Sequence, residues 1–210
     1  HFVIKNKRIV VLAGLGVLLL LIVAGFMAVN SAAREEKAAA EFDKVAVMLQ
    51  GEGAREKIGD IDKQLDTIIK TWPGTLAAAK ASLHLADIQY RMDNFAGAIE
   101  NFTRVKDHGK SSYLYPAALI GIANCYEQSG EPAKAVDYYD AVGALSDHFG
   151  LKDMALLGKA RVLGAQGKFD EARKVLENIR SDVSAFADEA MRLSIWLDSK
   201  KTVQVLPAGK

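Results

Sequence analysis

The side chains best suited to chemistry in this sequence are four histidines and one cysteine, so their spacing comes first. None of His1, His84, His108 and His148 has a second histidine or a cysteine three or four residues further on, and no acidic cluster completes a metal-binding motif. Cys125 falls on the apolar face of a predicted helix, where a thiol is usually a small buried hydrophobe. A nucleophile brought beside a histidine only by folding is invisible at this level. We predict no enzyme activity, no cofactor and no metal.

The charges and glycines also give no sign of a nucleic acid or nucleotide ligand. The 27 basic and 26 acidic residues leave a formal net charge of +1, and no basic block is present. Gly14 and Gly16 lie in a long apolar run, and Gly121, Gly158 and Gly164 are scattered over predicted helices, so none forms a phosphate loop. A single cysteine also excludes an intrachain disulfide. We therefore predict no nucleic acid partner and look for a binding surface.

The most distinctive element is an unbroken apolar run of 21 residues from Ile9 to Val29. At a helical rise of about 1.5 Å per residue it spans roughly 30 Å, the thickness of a hydrocarbon core. The alternative is a cleavable signal peptide, because residues 31–33 (Ser-Ala-Ala) resemble a cleavage site, but its apolar region is normally about 7 to 15 residues. We predict a single transmembrane helix over residues 9–29, in contact with the lipid bilayer.

The charges that flank this run predict its orientation. Lys5, Lys7 and Arg8 precede it, whereas the next four residues are uncharged and the four charges of residues 34–37 cancel. Positive flanking charge favours the cytoplasmic side. Residues 1–8 are therefore predicted to be a cytoplasmic flank. In a bacterial inner membrane the chain would be single-pass, with its C-terminal domain in the periplasm.

The rest of the chain contains three segments that align without a gap, residues 83–105, 120–142 and 157–179. Each carries an alanine in a first predicted helix, a turn, and an alanine in a second helix, and equivalent alanines are 37 residues apart. Small residues let the two helices of a hairpin approach closely. The alanines are Ala86, Ala123 and Ala160 in the first helices and Ala98, Ala135 and Ala172 in the second. Four positions after each second alanine, a larger residue is predicted to fill the gap toward the next repeat; these residues are Phe102, Tyr139 and Leu176.

These segments resemble the tetratricopeptide repeat (TPR) family, which has a glycine in the turn and an aromatic residue shortly after it. Gly130, Gly167, Phe95 and Phe169 match that pattern. The departures are a period of 37 residues, Asp93 in place of the turn glycine, and no tryptophan in the first helices. The resemblance implies an all-α fold with a TPR-like α-solenoid over residues 76–182. The extra residues of each repeat should lengthen the second helix or the loop after it.

In such solenoids the first helices line a concave groove that binds peptides or partner domains. Tyr90 and Arg91 are the strongest hot-spot candidates, because Tyr and Arg often dominate interfaces, although each also fits an ordinary solvated surface. Some TPR domains bind the acidic C terminus of chaperones through a Lys and Asn cluster, of which only Asn124 and Arg161 match here, so this clamp is predicted to be absent. The candidate groove residues are Lys80, Leu83, Asp87, Tyr90, Arg91, Asn124, Glu127, Gln128 and Arg161.

Helical segments are predicted on both sides of the repeats. Residues 30–75 form a helical hairpin whose first helix continues from the anchor without a strong helix breaker. Its second helix ends at residues 72–74 (Trp-Pro-Gly), and Thr75 can cap the next helix. Residues 183–199 are predicted to cap the third repeat, and residues 200–210 to form a disordered tail. About 180 residues beyond the anchor predict one domain.

Over its whole length, the chain resembles the YfgM-like family of ancillary subunits of the bacterial SecYEG translocon. The resemblance covers the anchor, the hairpin, the phrase TWPGTLAAAKASLHLADIQY, three degenerate repeats and an end helix. It implies a periplasmic domain beside the secretion channel that associates with periplasmic chaperones and helps to hand over exported proteins. The alternative is a structural TPR subunit of another envelope, secretion or motility complex. Both hypotheses require protein partners.

Overall fold

The computed structural model describes residues 7–51, 53, 55–145, 149–179 and 184–205. His1, His148 and most of the predicted cytoplasmic flank lie outside these residues. Within them the chain is all-α, as predicted, with the helices α1 (Lys7–Gln50), α2 (Ile58–Thr71), α3 (Leu76–Arg91), α4 (Phe95–Asp107), α5 (Tyr115–Gln128), α6 (Pro132–Gly143), α7 (Phe149–Ala165), α8 (Phe169–Leu176) and α9 (Ala187–Val205).

Helix α1 joins the apolar run to the hairpin without interruption over 44 residues. Every side chain from Leu15 to Val29 is exposed, including Leu20 at 70% and Phe26 at 74%. A core helix would bury such residues, so the apolar part of α1 is not one. The most apolar stretch of 18 residues has a mean hydropathy of 2.3, so the helix is long and apolar enough to cross a bilayer. A membrane span and a signal sequence both meet that criterion.

The chain divides into two compact units, residues 1–78 and 79–210, where the sequence predicted one domain beyond the anchor. The reason is that the N-terminal hairpin buries an apolar face of its own, since the second half of α1 packs against α2. The buried side chains recur at helical spacing and are Ala38, Phe42 and Val45 on α1 and Ile61, Leu65, Ile68 and Ile69 on α2.

The turn between α2 and α3 stops one helix and starts the next. The Trp72 N–H closes α2 on the Ile68 carbonyl, and Gly74 takes the left-handed conformation with φ +81°. The Thr75 hydroxyl oxygen then accepts a hydrogen bond from the Ala78 N–H at 3.1 Å. Thr75 therefore caps α3, as its position in the sequence suggested.

Helix α1 holds this turn through two acidic side chains. The Trp72 indole N–H donates to Glu41 Oε2 at 2.8 Å. The Leu76 N–H, one of the unsatisfied donors at the start of α3, lies 3.1 and 3.2 Å from the two Glu35 carboxylate oxygens. These contacts fix the turn against α1 within the first unit.

The second unit stacks its helices in the order of the chain. Helix α4 packs on α5, α5 on α6 and α6 on α7, and α5 also contacts α7 across one intervening helix, as expected of a solenoid. The six alanines that the repeat alignment identified are all completely buried, each with 0% exposure. A larger residue at any of these positions would separate the helices, which explains why alanine recurs at the same positions of each repeat.

The turns inside the three repeats share one backbone conformation. Asp93, Gly130 and Gly167 all have positive φ, at 58°, 75° and 77°. The residue after each of them donates its N–H to a carbonyl near the end of the first helix, which is the closing bond of a Schellman motif. These bonds join Asn94 to Gln89 (2.9 Å), Glu131 to Tyr126 (2.9 Å) and Lys168 to Leu163 (3.0 Å).

The last helix differs from the prediction at its C-terminal end. Helix α9 continues to Val205, so residues 200–205 are helical and the predicted disordered tail is wrong for them, while residues 206–210 lie outside the described part of the chain. Ion pairs to α8 explain the extension, because Lys201 pairs with Asp170, and Asp198 with Arg173 at 3.1 Å. The helix also covers the third repeat, where Leu197 is completely buried.

Candidate protein-binding groove

Two glycines fix the spacing between neighbouring repeats. A Cβ atom on Gly121 would lie 2.4 Å from the Phe102 ring, and one on Gly158 would lie 2.5 Å from the Tyr139 ring. Each ring thus packs directly on the backbone of the next repeat's first helix, where no side chain fits. This contact sets the distance between the helices that carry the candidate groove residues.

Three of the predicted groove residues meet in one hydrogen-bonded cluster, which we call the groove cluster and define as Asn124, Glu127, Tyr139 and Arg161. Arg161 binds the Glu127 carboxylate through two nitrogens, each at 2.7 Å. The Tyr139 hydroxyl lies 2.6 Å from Asn124 Oδ1 and 3.0 Å from Glu127 Oε2. Because Glu127 lies on α5 and Arg161 on α7, the cluster ties the first helices of the second and third repeats together.

The environment of the groove cluster favours the protonated forms of Tyr139 and Arg161. Tyr139 is only 2% exposed, and burial, reinforced by the nearby Glu127 carboxylate, raises the pKa of its hydroxyl. The hydrogen bond to Glu127 raises the pKa of Arg161 further above neutrality. Glu127 is largely covered, with 17% of its side chain exposed, whereas Arg161 retains 47%. The two charges therefore satisfy each other at the groove surface.

The first repeat presents a different face. Tyr90 is half-buried and its ring packs against Phe95, with 5.6 Å between centroids. Arg91 and Asp87 reach solvent, yet the surrounding helices desolvate the Asp87 carboxyl enough to raise its pKa against the opposing pull of His84 and Arg91. This end of the groove therefore offers an aromatic ring, a cation and a carboxylate.

The structure thus divides the predicted groove residues into two sets. It brings Asn124, Glu127 and Arg161 together, and leaves Gln128 exposed beside them. Lys80, Leu83 and Tyr90 are half-buried in the first repeat, and Leu83 and Tyr90 pack against the core. Sequence reasoning missed the fourth member of the cluster, Tyr139, which it treated as a spacer only. The available signal was the hydroxyl itself, since a buried Tyr usually needs a hydrogen-bond partner.

Cys125 is completely buried, and desolvation raises the pKa of its thiol to about 11. It therefore stays protonated at neutral pH and packs as a small apolar group between the first and second repeats. Among the described residues no group of three His, Cys, Asp or Glu side chains is arranged to hold a metal ion. The candidate groove residues that the structure describes thus form a surface of paired and stacked side chains.

Residues 1–142 match the family model of the tetratricopeptide repeat-like domain. The chain belongs to this family. Residues 154–183 separately match a tetratricopeptide repeat model, so the third repeat is recognised as well. The tetratricopeptide repeat-like match includes the apolar part of α1, the hairpin and the first two repeats. No curated protein matches the sequence significantly.

Solved structures confirm the TPR-like solenoid. One is a single-substitution variant of a Podosopora anserina protein described as a kinesin light chain with nearly identical TPR-like repeats. It has a TM-score of 0.61 and a sequence identity of 14%, and the match covers 80% of this chain and 88% of that chain. A second structure from Podosopora anserina, with the same description, has a TM-score of 0.54 and 15% identity, over 80% and 97%. Identities this low establish the fold alone. Repeats of this kind bind proteins, so the chain is a protein-interaction scaffold.

Proposed function

We propose that this protein is a membrane-anchored TPR scaffold on the periplasmic face of a bacterial inner membrane, where it associates with the Sec translocon and with periplasmic chaperones during protein export. The observation that carries the proposal is the continuity of α1, which joins an exposed apolar segment to the folded helical hairpin that precedes the repeats in the chain. Such a chain would concentrate its binding groove close to the membrane, where exported proteins emerge. Residues 1–8 would remain cytoplasmic, as the positive flank predicts.

The fold supports an anchor that is retained after export. Cleavage at residues 31–33 would cut inside α1, within one turn of Glu35, which binds the start of α3. The apolar run of 21 residues is also longer than the apolar part of most signal peptides. Retention would keep the hairpin and its membrane segment in one helix.

Within the groove, the first repeat is the better candidate for partner binding. In the groove cluster, Glu127 and Arg161 already neutralise each other, so a charged partner group would compete with that pair. Tyr90 and Arg91 offer an aromatic ring and a solvent-exposed cation instead. The double variant Tyr90→Ala, Arg91→Ala should weaken partner affinity about tenfold or more, whereas Lys174→Ala on the exposed face of α8 should leave it unchanged.

Native affinity purification in mild detergent, followed by mass spectrometry, tests the proposal. Co-purification of translocon subunits or periplasmic chaperones at low stoichiometry would support it. Recovery of the chain in a large complex of fixed stoichiometry without Sec components would instead identify a structural subunit of another envelope, secretion or motility machine. Crosslinking in native membranes that captured no Sec component and no exported chain would reject the translocon hypothesis.

A further inference from the structure

A cavity of about 260 Å³ opens within the first unit, between α1 and the turn that joins α2 to α3. One side consists of residues on a single face of α1, and the other consists of the turn itself. At roughly 30 Å³ per water molecule it has room for several waters, or for one small polar headgroup. It is lined by Met27, Asn30, Ser31, Arg34, Glu35, Pro73, Gly74 and Thr75.

The cavity straddles the point where the chemistry of α1 changes. Met27 still belongs to the apolar run, which ends at Val29, and Arg34 follows five residues later. Five residues of helix correspond to about 8 Å along its axis. The headgroup layer on each side of a bilayer is roughly 5 to 8 Å thick. If α1 spans the membrane as proposed, the cavity lies at the depth of the lipid headgroups.

Two opposite charges line this cavity with bonding capacity to spare. Among the described residues, the Arg34 guanidinium makes one hydrogen bond, from Nη2 to the Pro73 carbonyl at 3.3 Å, and it has five N–H donors. Both Glu35 oxygens lie near the same donor, the Leu76 N–H, which leaves lone pairs available. A purely anionic ligand would meet repulsion from Glu35, and a purely cationic one would meet repulsion from Arg34. The pair complements a ligand that carries both charges.

We propose that the cavity binds the headgroup of a zwitterionic phospholipid of the phosphatidylethanolamine class. Arg34 binds the phosphate, Glu35 binds the ammonium group, and the polar side chains of Asn30 and Ser31 contact the phosphate and glycerol oxygens. Met27 lies beside the first carbons of an acyl chain. This site rests on the proposed membrane anchoring, and it would hold the hairpin turn against the bilayer surface.

The test uses the full chain in nanodiscs that contain equal amounts of phosphatidylethanolamine and phosphatidylglycerol, with native mass spectrometry of the lipids retained after release. Arg34→Gln removes the cation but keeps donors for the Pro73 carbonyl, and Glu35→Gln removes the anion but keeps an acceptor for the Leu76 N–H. Lys37→Gln, an exposed residue on α1 that does not line the cavity, is the matched control.

Wild type and Lys37→Gln should retain phosphatidylethanolamine preferentially. Arg34→Gln should reduce retention of both lipids, and Glu35→Gln should reduce the preference for phosphatidylethanolamine, each about fivefold. Alkaline extraction separates the two proposals. If the wild-type chain resists extraction from membranes, equal lipid retention by all four proteins would overturn the headgroup site but not the membrane anchor. Extraction of the wild-type chain would overturn the anchor and the site together. Displacement of the lipid by soluble phosphoethanolamine at equal concentration would overturn the assignment to a membrane lipid.

Discussion

At the scale of single residues, the turn position shared by the three repeats requires a positive φ, and this requirement limits which residue can occupy it. Two repeats place glycine there, and the first places Asp93, whose φ of +58° is the left-handed conformation that a side chain disfavours. Asp tolerates this conformation better than most residues do, which is why the repeat still closes. The sequence predicted a turn at this place but treated Asp93 as a departure from the family pattern. The structure shows that Asp93 adopts the same left-handed conformation as the glycines of the other two repeats.

We predict that Asp93→Gly raises the free energy of unfolding by about 0.5 to 1 kcal/mol, because glycine adopts positive φ without steric cost. The gain is partly offset by the greater freedom of glycine in the unfolded chain. Thermal and urea unfolding would measure it. The control is Gly130→Ala, which introduces a side chain at φ +75° and should destabilise by about 1 kcal/mol. A lower stability for Asp93→Gly would contradict this account of the turn.

The buried hydroxyl of Tyr139 predicts a dependence of stability on alkaline pH. Its pKa is raised in the folded protein above the ordinary value of 10.0, so the folded state holds a proton that the unfolded chain releases. Its contribution is complete below pH 10 and declines as the pH rises above that value. Tyr139→Phe should cost about 1 to 2 kcal/mol at pH 7 and should flatten this part of the alkaline decline. Urea titrations from pH 8 to 11 would check both effects, and an unchanged slope would argue against the groove cluster.

At the scale of elements, the contacts between repeats depend on pairs that lie far apart in the sequence. The alignment identified Phe102 and Tyr139 as fillers between repeats, and the structure shows the glycines that receive them, Gly121 and Gly158. Those glycines are also 37 residues apart, so the signal was present in the register. The sequence does not reveal the role of these glycines, because the ring that contacts each of them lies on a different helix and is known only once the helices are packed together.

Gly158→Ala should therefore destabilise the protein by about 1 to 3 kcal/mol, because its Cβ would lie 2.5 Å from the Tyr139 ring. Gly143→Ala provides the matched helical control. Among the described residues, and apart from its chain neighbours and its own helix backbone, no atom lies within 4 Å of the Cβ it would add, so it should be neutral or slightly stabilising. Chemical denaturation of the two variants makes the comparison. Equal effects would mean that helix propensity, and not contact between repeats, determines the result.

The boundaries of the elements were less predictable than their type. The sequence placed the extra residues of each repeat in the second helix or its loop, and between α4 and α5 they do lie in the connection of residues 108–114. The first helix of the third repeat instead begins early, at Phe149. Residues 200–205 looked like a tail because the ion pair that holds them, Lys201 to Asp170, joins two segments distant in the chain.

At the scale of the whole molecule, the apolar run and the repeats could be predicted because each is a local pattern with a known period. The division into two units could not, because it depends on whether the hairpin buries its apolar face internally. The continuity of α1 followed from the absence of helix breakers between Val29 and Gln50. No local sequence pattern of this kind identifies the partner protein.

The unbroken α1 predicts that the proposed anchor fixes the height of the hairpin above the membrane and does not merely tether it there. A flexible Gly-Ser segment inserted after Ala33 should weaken partner engagement, because the hairpin would no longer be held at a fixed height above the membrane. Capture of partners from native membranes would measure the effect, with an equal insertion in the connection at residues 108–114 as a test of general disruption. Unchanged capture would mean that the anchor supplies location alone.

The measurement that tests the central claim most directly is site-specific photo-crosslinking in native membranes. A crosslinking amino acid would be placed at Arg91 in the first repeat, and at Lys174 on the exposed face of α8 for comparison. A membrane-anchored scaffold that binds through its first repeat predicts protein adducts at position 91 that contain a translocon subunit, a periplasmic chaperone or an exported chain, and few at position 174. Equal labelling at both positions, or no protein adduct at position 91, would contradict it.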